Sequence, residues 1–184
     1  MIRGSIALAA VFILAFASAA QADTFSVFAD VPVAGEMKST PAVGKAIGTE
    51  TSPSGFKVGL TLPFYVGLAY ESYSQGIDPT TIGGATGYSF NTTMTDVFLN
   101  LPLPVVNIAV GMGAGTSTIK GPQAVVGISD AALTQTFVSL GLPFAAVFDV
   151  HLGYHMISGK QPVKGSADYN VSGSMTSLGV KFGF

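Results

Sequence analysis

Apolar side chains recur at every second position in eight segments of about ten residues each. This is the period of a β-strand, whose successive side chains point to opposite faces. A tilted strand of about 9–11 residues crosses the hydrocarbon core of a bilayer. The sequence therefore predicts an all-β protein with membrane-spanning strands. The predicted strands are 24–33, 55–62, 65–74, 92–101, 105–116, 133–142, 145–158 and 174–184.

Short and long connections alternate along the chain. The three short ones share a Leu-Pro pair, at Leu62-Pro63, Leu101-Pro102 and Leu142-Pro143. Short turns at one end and long loops at the other are typical of outer-membrane barrels, whose long loops lie outside the cell. The four long connections are rich in Gly, Ser, Thr and Pro, and they are 34–54, 75–91, 117–132 and 159–173.

The chain carries too few charges for an ordinary soluble domain. Charged residues make up 10% and hydrophobic residues 48%, whereas about 25% of residues are charged in a typical globular domain. The absence of Cys excludes disulfides and thiolate metal sites. The sequence has no basic patch of the kind that binds nucleic acid, so nucleic acid is not predicted as a partner.

Residues 1–22 have the pattern of a secretory signal peptide. Arg3 supplies a positive start, residues 6–16 are apolar, and Ala20-Gln21-Ala22 fits the small-x-small cleavage pattern. The barrel domain is therefore predicted to cover residues 23–184.

The faces between the apolar positions carry small residues. On the fifth predicted strand this face reads Asn107, Ala109, Gly111, Gly113 and Gly115. Small residues suit an eight-stranded barrel, whose interior is just wide enough for side chains to fill. Closure also removes the unpaired strand edges that lipid does not tolerate. We therefore predict an eight-stranded antiparallel up-and-down transmembrane β-barrel.

The last strand ends on the alternating residues Val180, Phe182 and Phe184. With the eight strands, this end resembles the small-barrel superfamily of bacterial outer-membrane proteins, which includes the OmpA membrane domain, OmpX and OmpW. The resemblance implies a location in the outer membrane and contact with its lipid and lipopolysaccharide. It also implies that the terminal aromatic is a signal for the barrel-assembly machinery.

Eight ionisable residues fall on the predicted inner face, where charges must be paired or hydrated. The register places Lys57 opposite Glu71 and Asp149 level with Lys181. These residues predict an internal polar network, and the alternative is a gate or ion path. The set is Asp30, Lys57, Glu71, Asp96, Asp149, His151, His155 and Lys181.

The two histidines are expected to fill the interior near the extracellular mouth. His151 and His155 lie about 13 Å apart along one strand, too far to share a metal ion. Asp149 stands two residues from His151, which allows an orienting hydrogen bond, but Ser158 falls on the opposite face. This departs from the His-x-Ser arrangement of outer-membrane lipid A deacylases. We therefore predict no catalytic residue, no metal site and no cofactor.

Exposed aromatics are expected to form two girdles at the membrane boundaries. Those near the short turns are Phe64, Tyr65, Phe144 and Phe148, and those higher up are Tyr70, Tyr73 and Tyr154.

Three functions stay open. The first is a structural or surface-exposed membrane protein that presents its loops. The second is a narrow channel for small hydrophobic or ionic solutes, as in OmpW-like barrels, with Phe28, Phe98 and Phe137 in the lumen. The third is a lipid-modifying enzyme. A wide, charge-lined lumen would favour the channel, whereas a plugged lumen would favour the structural role.

Overall fold

The computed structural model describes residues 25–42, 44–49, 52–103, 105–122, 127–145 and 147–184. The expected signal peptide, 1–22, lies outside the described residues. No helix among the described residues is long and apolar enough to span a membrane. The described strands are β1 (Ser26–Thr40), β2 (Ile47–Gly48), β3 (Ser54–Thr61), β4 (Val66–Gly76), β5 (Ser89–Pro102), β6 (Asn107–Lys120), β7 (Ala131–Ala145), β8 (Phe148–Gln161) and β9 (Tyr169–Gly183).

Eight of these strands close into a barrel. Each of β3 to β9 pairs antiparallel with its neighbours, β3 pairs with β1, and β1 also pairs with β9. The short β2 pairs only with the far end of β1. The predicted eight-stranded antiparallel barrel is thereby confirmed. We call the end with the three Leu-Pro turns the short-turn end and the opposite end the long-loop end.

Several strands continue further toward the long-loop end than the sequence predicted. β1 runs to Thr40 rather than to residue 33, and β9 begins at Tyr169 rather than at residue 174. The added segments carry polar outward residues, such as Lys38 on β1 and Ser172 on β9. They lack the apolar alternation on which the prediction relied, yet their backbones pair in register, Lys38 opposite Ser172.

Apolar side chains cover the outside of the barrel. Exposed hydrophobic residues occur on every barrel strand and form a belt far larger than the patches that a water-soluble monomer shows. We call this surface the outer belt. Members from the eight barrel strands in turn are Val31, Val58, Leu68, Leu99, Val110, Leu140, Leu152 and Leu178.

Glycines on the inner face make room for large side chains. A Cβ on Gly111 would lie 2.6 Å from Cε1 of Phe137 and from Cβ of Phe98. A Cβ on Gly67 would overlap the ring of Phe98 itself. Small residues on one strand therefore allow phenylalanine rings from the next strands to fill the lumen.

One member of the expected upper girdle lies on the wrong face. Tyr73 is buried inside the barrel, and the prediction that it faces the membrane is wrong. On β4 the outward positions are those of Leu68 and Tyr70, so strand parity sends Tyr73 inward. Tyr70 and Tyr154 are exposed, as are Phe64 and Phe144 near the short turns.

Candidate functional site in the barrel interior

A cluster of buried polar side chains fills the middle of the barrel. Lys57 Nζ lies 2.6 Å from Asp96 Oδ2 and 3.7 Å from Glu71 Oε2. Glu71 and Asp96 are 1% and 0% exposed. Together with Gln135 and His155 we call these residues the central polar cluster. Lys57 opposes Glu71 in register, as expected, but its shorter contact is with Asp96, one strand further on.

Gln135 holds the two carboxylates of this cluster. Its Nε2 donates to Asp96 Oδ1 over 2.6 Å and also to Glu71 Oε1. Its Oε1 lies 3.2 Å from Nδ1 of His155. Because Oε1 can only accept, Nδ1 of His155 is the donor, and Nε2 is left to accept from the Ser177 hydroxyl at 3.2 Å.

An ion pair and a histidine–carboxylate hydrogen bond lie between this cluster and the short-turn end. Lys181 Nζ lies 2.9 Å from Asp149 Oδ2, which also accepts from Nδ2 of Asn107. His151 Nε2 lies 2.6 Å from Asp30 Oδ1. The hydrogen bond that the sequence allowed between Asp149 and His151 is not formed, because each side chain has a partner on another strand.

The expected position of the histidines near the long-loop mouth is wrong. His155 lies at the middle of β8. His151 lies four residues closer to the short turns, opposite Gly141 and Gly179. β8 continues to Gln161, three residues beyond its predicted end, so both histidines are deeper than the prediction placed them.

Apolar side chains close the long-loop half of the barrel. They come from β1, β4, β5, β7, β8 and β9 and from the loop between β4 and β5, and they pack into one cluster with almost no exposed surface. We call it the apolar plug. Its buried members are Met37, Tyr73, Ile77, Tyr88, Phe90, Met94, Ala131, Leu133, Ile157, Val171 and Met175.

A small cavity lies on the other side of the central polar cluster, toward the short turns. Phe28, Phe98 and Phe137 line it together with His151 and Lys181. The space open to the centres of water molecules is about 40 Å³, which is room for about three waters at roughly 10–15 Å³ each. The cavity ends at Lys57 and His155, so it is a blind pocket.

Burial of the interior side chains restricts metal binding and catalysis inside the barrel. Among the described residues, no group of three or more His, Cys, Asp and Glu side chains is placed to hold a metal ion. Ser177 and His155 form a hydroxyl–imidazole pair, but they are 2% and 1% exposed. A substrate cannot reach the Ser177 hydroxyl while these side chains keep their packing.

Sequence reasoning assigned no role to three residues that hold the charges in place. Gln135, Asn107 and Ser177 each occupy an inward position, and each touches a charged or histidine side chain. Strand parity places all three inside the barrel, as the sequence pattern already predicted for Asn107. The predicted internal polar network left out their contacts because it was drawn from ionisable residues alone.

Fold and interior together define a closed, filled eight-stranded β-barrel with an apolar outer surface. No protein-family model and no curated protein matches the chain. Among solved structures it is similar to Neisserial surface protein A, with 13% identity, a TM-score of 0.62, and coverage of 88% of this chain and 97% of that one.

A second solved structure with a similar chain course is Ail, the attachment invasion locus protein of Yersinia pestis. The identity is 10%, the TM-score 0.48, and the coverage 87% of this chain and 99% of that one. At such identities the likeness is one of fold, and the fold is that of the small outer-membrane β-barrels.

Proposed function

We propose that the chain is a bacterial outer-membrane protein whose barrel anchors long surface loops and offers solutes no path. The outer belt supports a membrane location. Exposed Leu140 and Leu152 stand side by side on β7 and β8, and an uninterrupted apolar surface of this kind is stable in lipid rather than in water.

The filled interior is the observation that carries the proposal. A solute crossing from the long-loop end meets the apolar plug, where Phe90 and Met94 are each 1% exposed. An ion would lose its hydration there without meeting a side chain of opposite charge, which is costly in a low-dielectric interior. The blind pocket beyond the central polar cluster has no outlet on that side. A narrow channel is therefore the less favoured function.

Charge on the outside supports an orientation with the long loops at the cell surface. Lys38 and Lys160 are exposed near the long-loop end and flank β9 from either side. Lipopolysaccharide phosphates in the outer leaflet are suitable partners for such lysines. We therefore propose outer-membrane lipid and lipopolysaccharide as the surroundings of the barrel.

Biogenesis follows from the same proposal. The signal peptide would direct export, and Val180, Phe182 and Phe184 would present the assembly signal to the barrel-assembly machinery. Val180 and Phe182 lie on the outward face of β9, and Phe184 follows the strand with its ring exposed. Their side chains are therefore accessible to an insertion partner.

Labelling on intact bacteria tests the orientation. The chain has no Cys, so a single Ser166→Cys variant in the exposed loop between β8 and β9 gives one thiol. A membrane-impermeant maleimide should label it on intact cells. The matched control, Ser177→Cys, lies inside the barrel and should react only after heat denaturation. A folded Ser166→Cys protein that stays unlabelled until the outer membrane is broken would contradict the proposal.

A further inference from the structure

Charges outside the barrel are confined to one end. Every described Asp, Glu, Lys or His side chain that lies outside the barrel interior belongs to the long-loop half. The described outer surface of the short-turn half has none. The outside set is Glu36, Lys38, Lys45, Asp78, Lys120, Asp130, Lys160, Lys164 and Asp168.

The three short turns are apolar at their tips. Phe64 is 91% exposed, Phe144 is 82% exposed and Val105 is 60% exposed. No ionisable side chain occurs within 62–66, 101–107 or 142–148 apart from that of Tyr65. Turns that project into water are normally built from Gly, Pro, Asn, Asp and Ser. Here proline is kept, but Leu, Phe and Val stand where the small polar residues would be.

The first turn keeps its exposed ring at a conformational cost. Phe64 and Tyr65 have φ values of 68° and 64°, a left-handed conformation that is uncommon for residues other than Gly, Asn and Asp. Glycine at position 64 would relieve this backbone strain. Packing within the protein does not explain the phenylalanine, because the Phe64 side chain makes little contact with the rest of the chain. The exposed ring therefore has a use outside the chain.

The apolar tips continue the outer belt without a break. Val66, Leu101 and Leu142, all exposed, connect Phe64, Val105 and Phe144 to the belt on the strands that follow or precede them. A surface that is continuous with the lipid-facing belt and equally free of charge meets the same partner.

We infer that the three short turns lie within the membrane, at the boundary between headgroups and acyl chains, instead of projecting into the aqueous phase. The barrel is thus sunk toward the leaflet at its short-turn end, which in the proposed orientation is the phospholipid leaflet facing the periplasm. This inference rests on the proposed membrane location. It adds the depth of the barrel and identifies the phospholipid interface as the partner of the rim.

Tryptophan fluorescence tests the inference, because the chain has no Trp. Phe144→Trp reports on the rim and keeps an aromatic ring at the site. Leu140→Trp reports on the outer belt, and Lys164→Trp reports on the long loops. Each protein is refolded into phosphatidylcholine vesicles containing lipids brominated at a shallow or a deep acyl position. Aqueous iodide serves as the opposing quencher.

We expect bromine at the shallow position to quench Phe144→Trp more strongly than bromine at the deep position, with weak quenching by iodide. Leu140→Trp should be quenched by bromine and Lys164→Trp mainly by iodide. If Leu140→Trp is quenched by bromine but Phe144→Trp responds to iodide as Lys164→Trp does, the inference is wrong while the membrane proposal stands.

Two other outcomes also overturn the inference. A Phe144→Trp that is protected from both quenchers would show that protein, such as a second copy, covers the rim. A Leu140→Trp that no bromolipid quenches would remove the proposed membrane location and the inference with it. Val105→Trp, on the second short turn, repeats the test if Phe144→Trp does not fold.

Discussion

Lys57 Nζ lies 2.6 Å from Asp96 Oδ2, although the residue opposite Lys57 in register is Glu71, at 3.7 Å. One ammonium group thus faces two buried carboxylates inside the barrel. The second carboxylate is held by the amide of Gln135. Each member of the central polar cluster thus has an ionic or hydrogen-bond partner within the group.

Removing Lys57 should therefore be costly. Lys57→Met leaves two buried carboxylates without their cation, and breaking a buried ion pair costs about 3–5 kcal/mol. The free energy of unfolding, measured by urea titration in detergent micelles, should fall by that amount. Lys38→Met is the matched control, because Lys38 forms an exposed pair with Glu36 at 3.0 Å, and such pairs contribute about 0–1 kcal/mol. Equal losses for both variants would argue against the central polar cluster as a structural unit.

Strand parity predicted which ionisable residues face inward, but not which of them touch. Glu71 and Asp96 lie on the neighbouring strands β4 and β5, but they are not opposite each other, because Glu71 pairs with Met94 and Asp96 with Ala69. The register between these strands could not be predicted from the sequence. The histidines were misplaced along the barrel axis for a similar reason, because their distance from the long-loop end depends on where β8 ends, and β8 extends beyond its predicted end. The apolar plug was also missed, since Met37 lies in the predicted connection 34–54 and Ile77 and Phe90 lie in the predicted connection 75–91.

A charge on the outer belt should destabilise the protein according to its depth. Leu140→Arg, near the middle of β7, should lower the folding free energy in lipid by roughly 2–4 kcal/mol, the cost of Arg near the bilayer midplane. Thr134→Arg, six residues further along the same face, should cost about 0–1 kcal/mol, as Arg does near the interface. The pair is compared by equilibrium unfolding from phospholipid vesicles. A Leu140→Arg barrel as stable as the parent would show that this face does not meet lipid.

Gly111 should not tolerate even one added methyl group. Gly111→Ala brings a Cβ within 2.6 Å of Phe137 Cε1 and Phe98 Cβ, and overpacking of this kind typically costs about 1–3 kcal/mol. Gly48→Ala is the control, since its Cβ would meet Lys38 Cγ at an ordinary 3.6 Å and should change stability by about 0.5 kcal/mol or less. The comparison needs only urea midpoints. Equal midpoints for the two variants would contradict the close packing of rings in the lumen.

Order in the loop after β4 should depend on pH. Asp78 begins the short 3-10 helix Pro79–Ile82, and its carboxylate accepts from the Thr80 amide at 2.8 Å. Hydrogen bonds from Thr80 hold the pKa of Asp78 below its ordinary value of 3.8. Because the folded pKa is the lower one, the stabilising effect is present above pH 4 and is lost as the pH falls through the folded pKa.

The Thr80 amide proton, followed by NMR in micelles, reports this change. Its protection factor, which is the intrinsic exchange rate divided by the observed rate, should fall below pH 4 in the parent protein. Asp78→Asn keeps an acceptor that does not titrate. The protection of the Thr80 amide in this variant should therefore not change over the same pH range. If both proteins lose protection over the same pH range, Asp78 is not the group responsible.

Single-channel recording of the refolded protein in a planar bilayer shows whether the barrel is filled, with heat-modifiable gel migration as the folding control. The apolar plug and the central polar cluster predict that a folded, inserted protein is electrically silent. A double variant, Phe90→Ala with Met94→Ala, shows how far the plug alone accounts for that silence. Steady conductance by the folded parent protein would contradict the account and would make Lys57, Glu71, Asp149 and Lys181 the lining of an ion path.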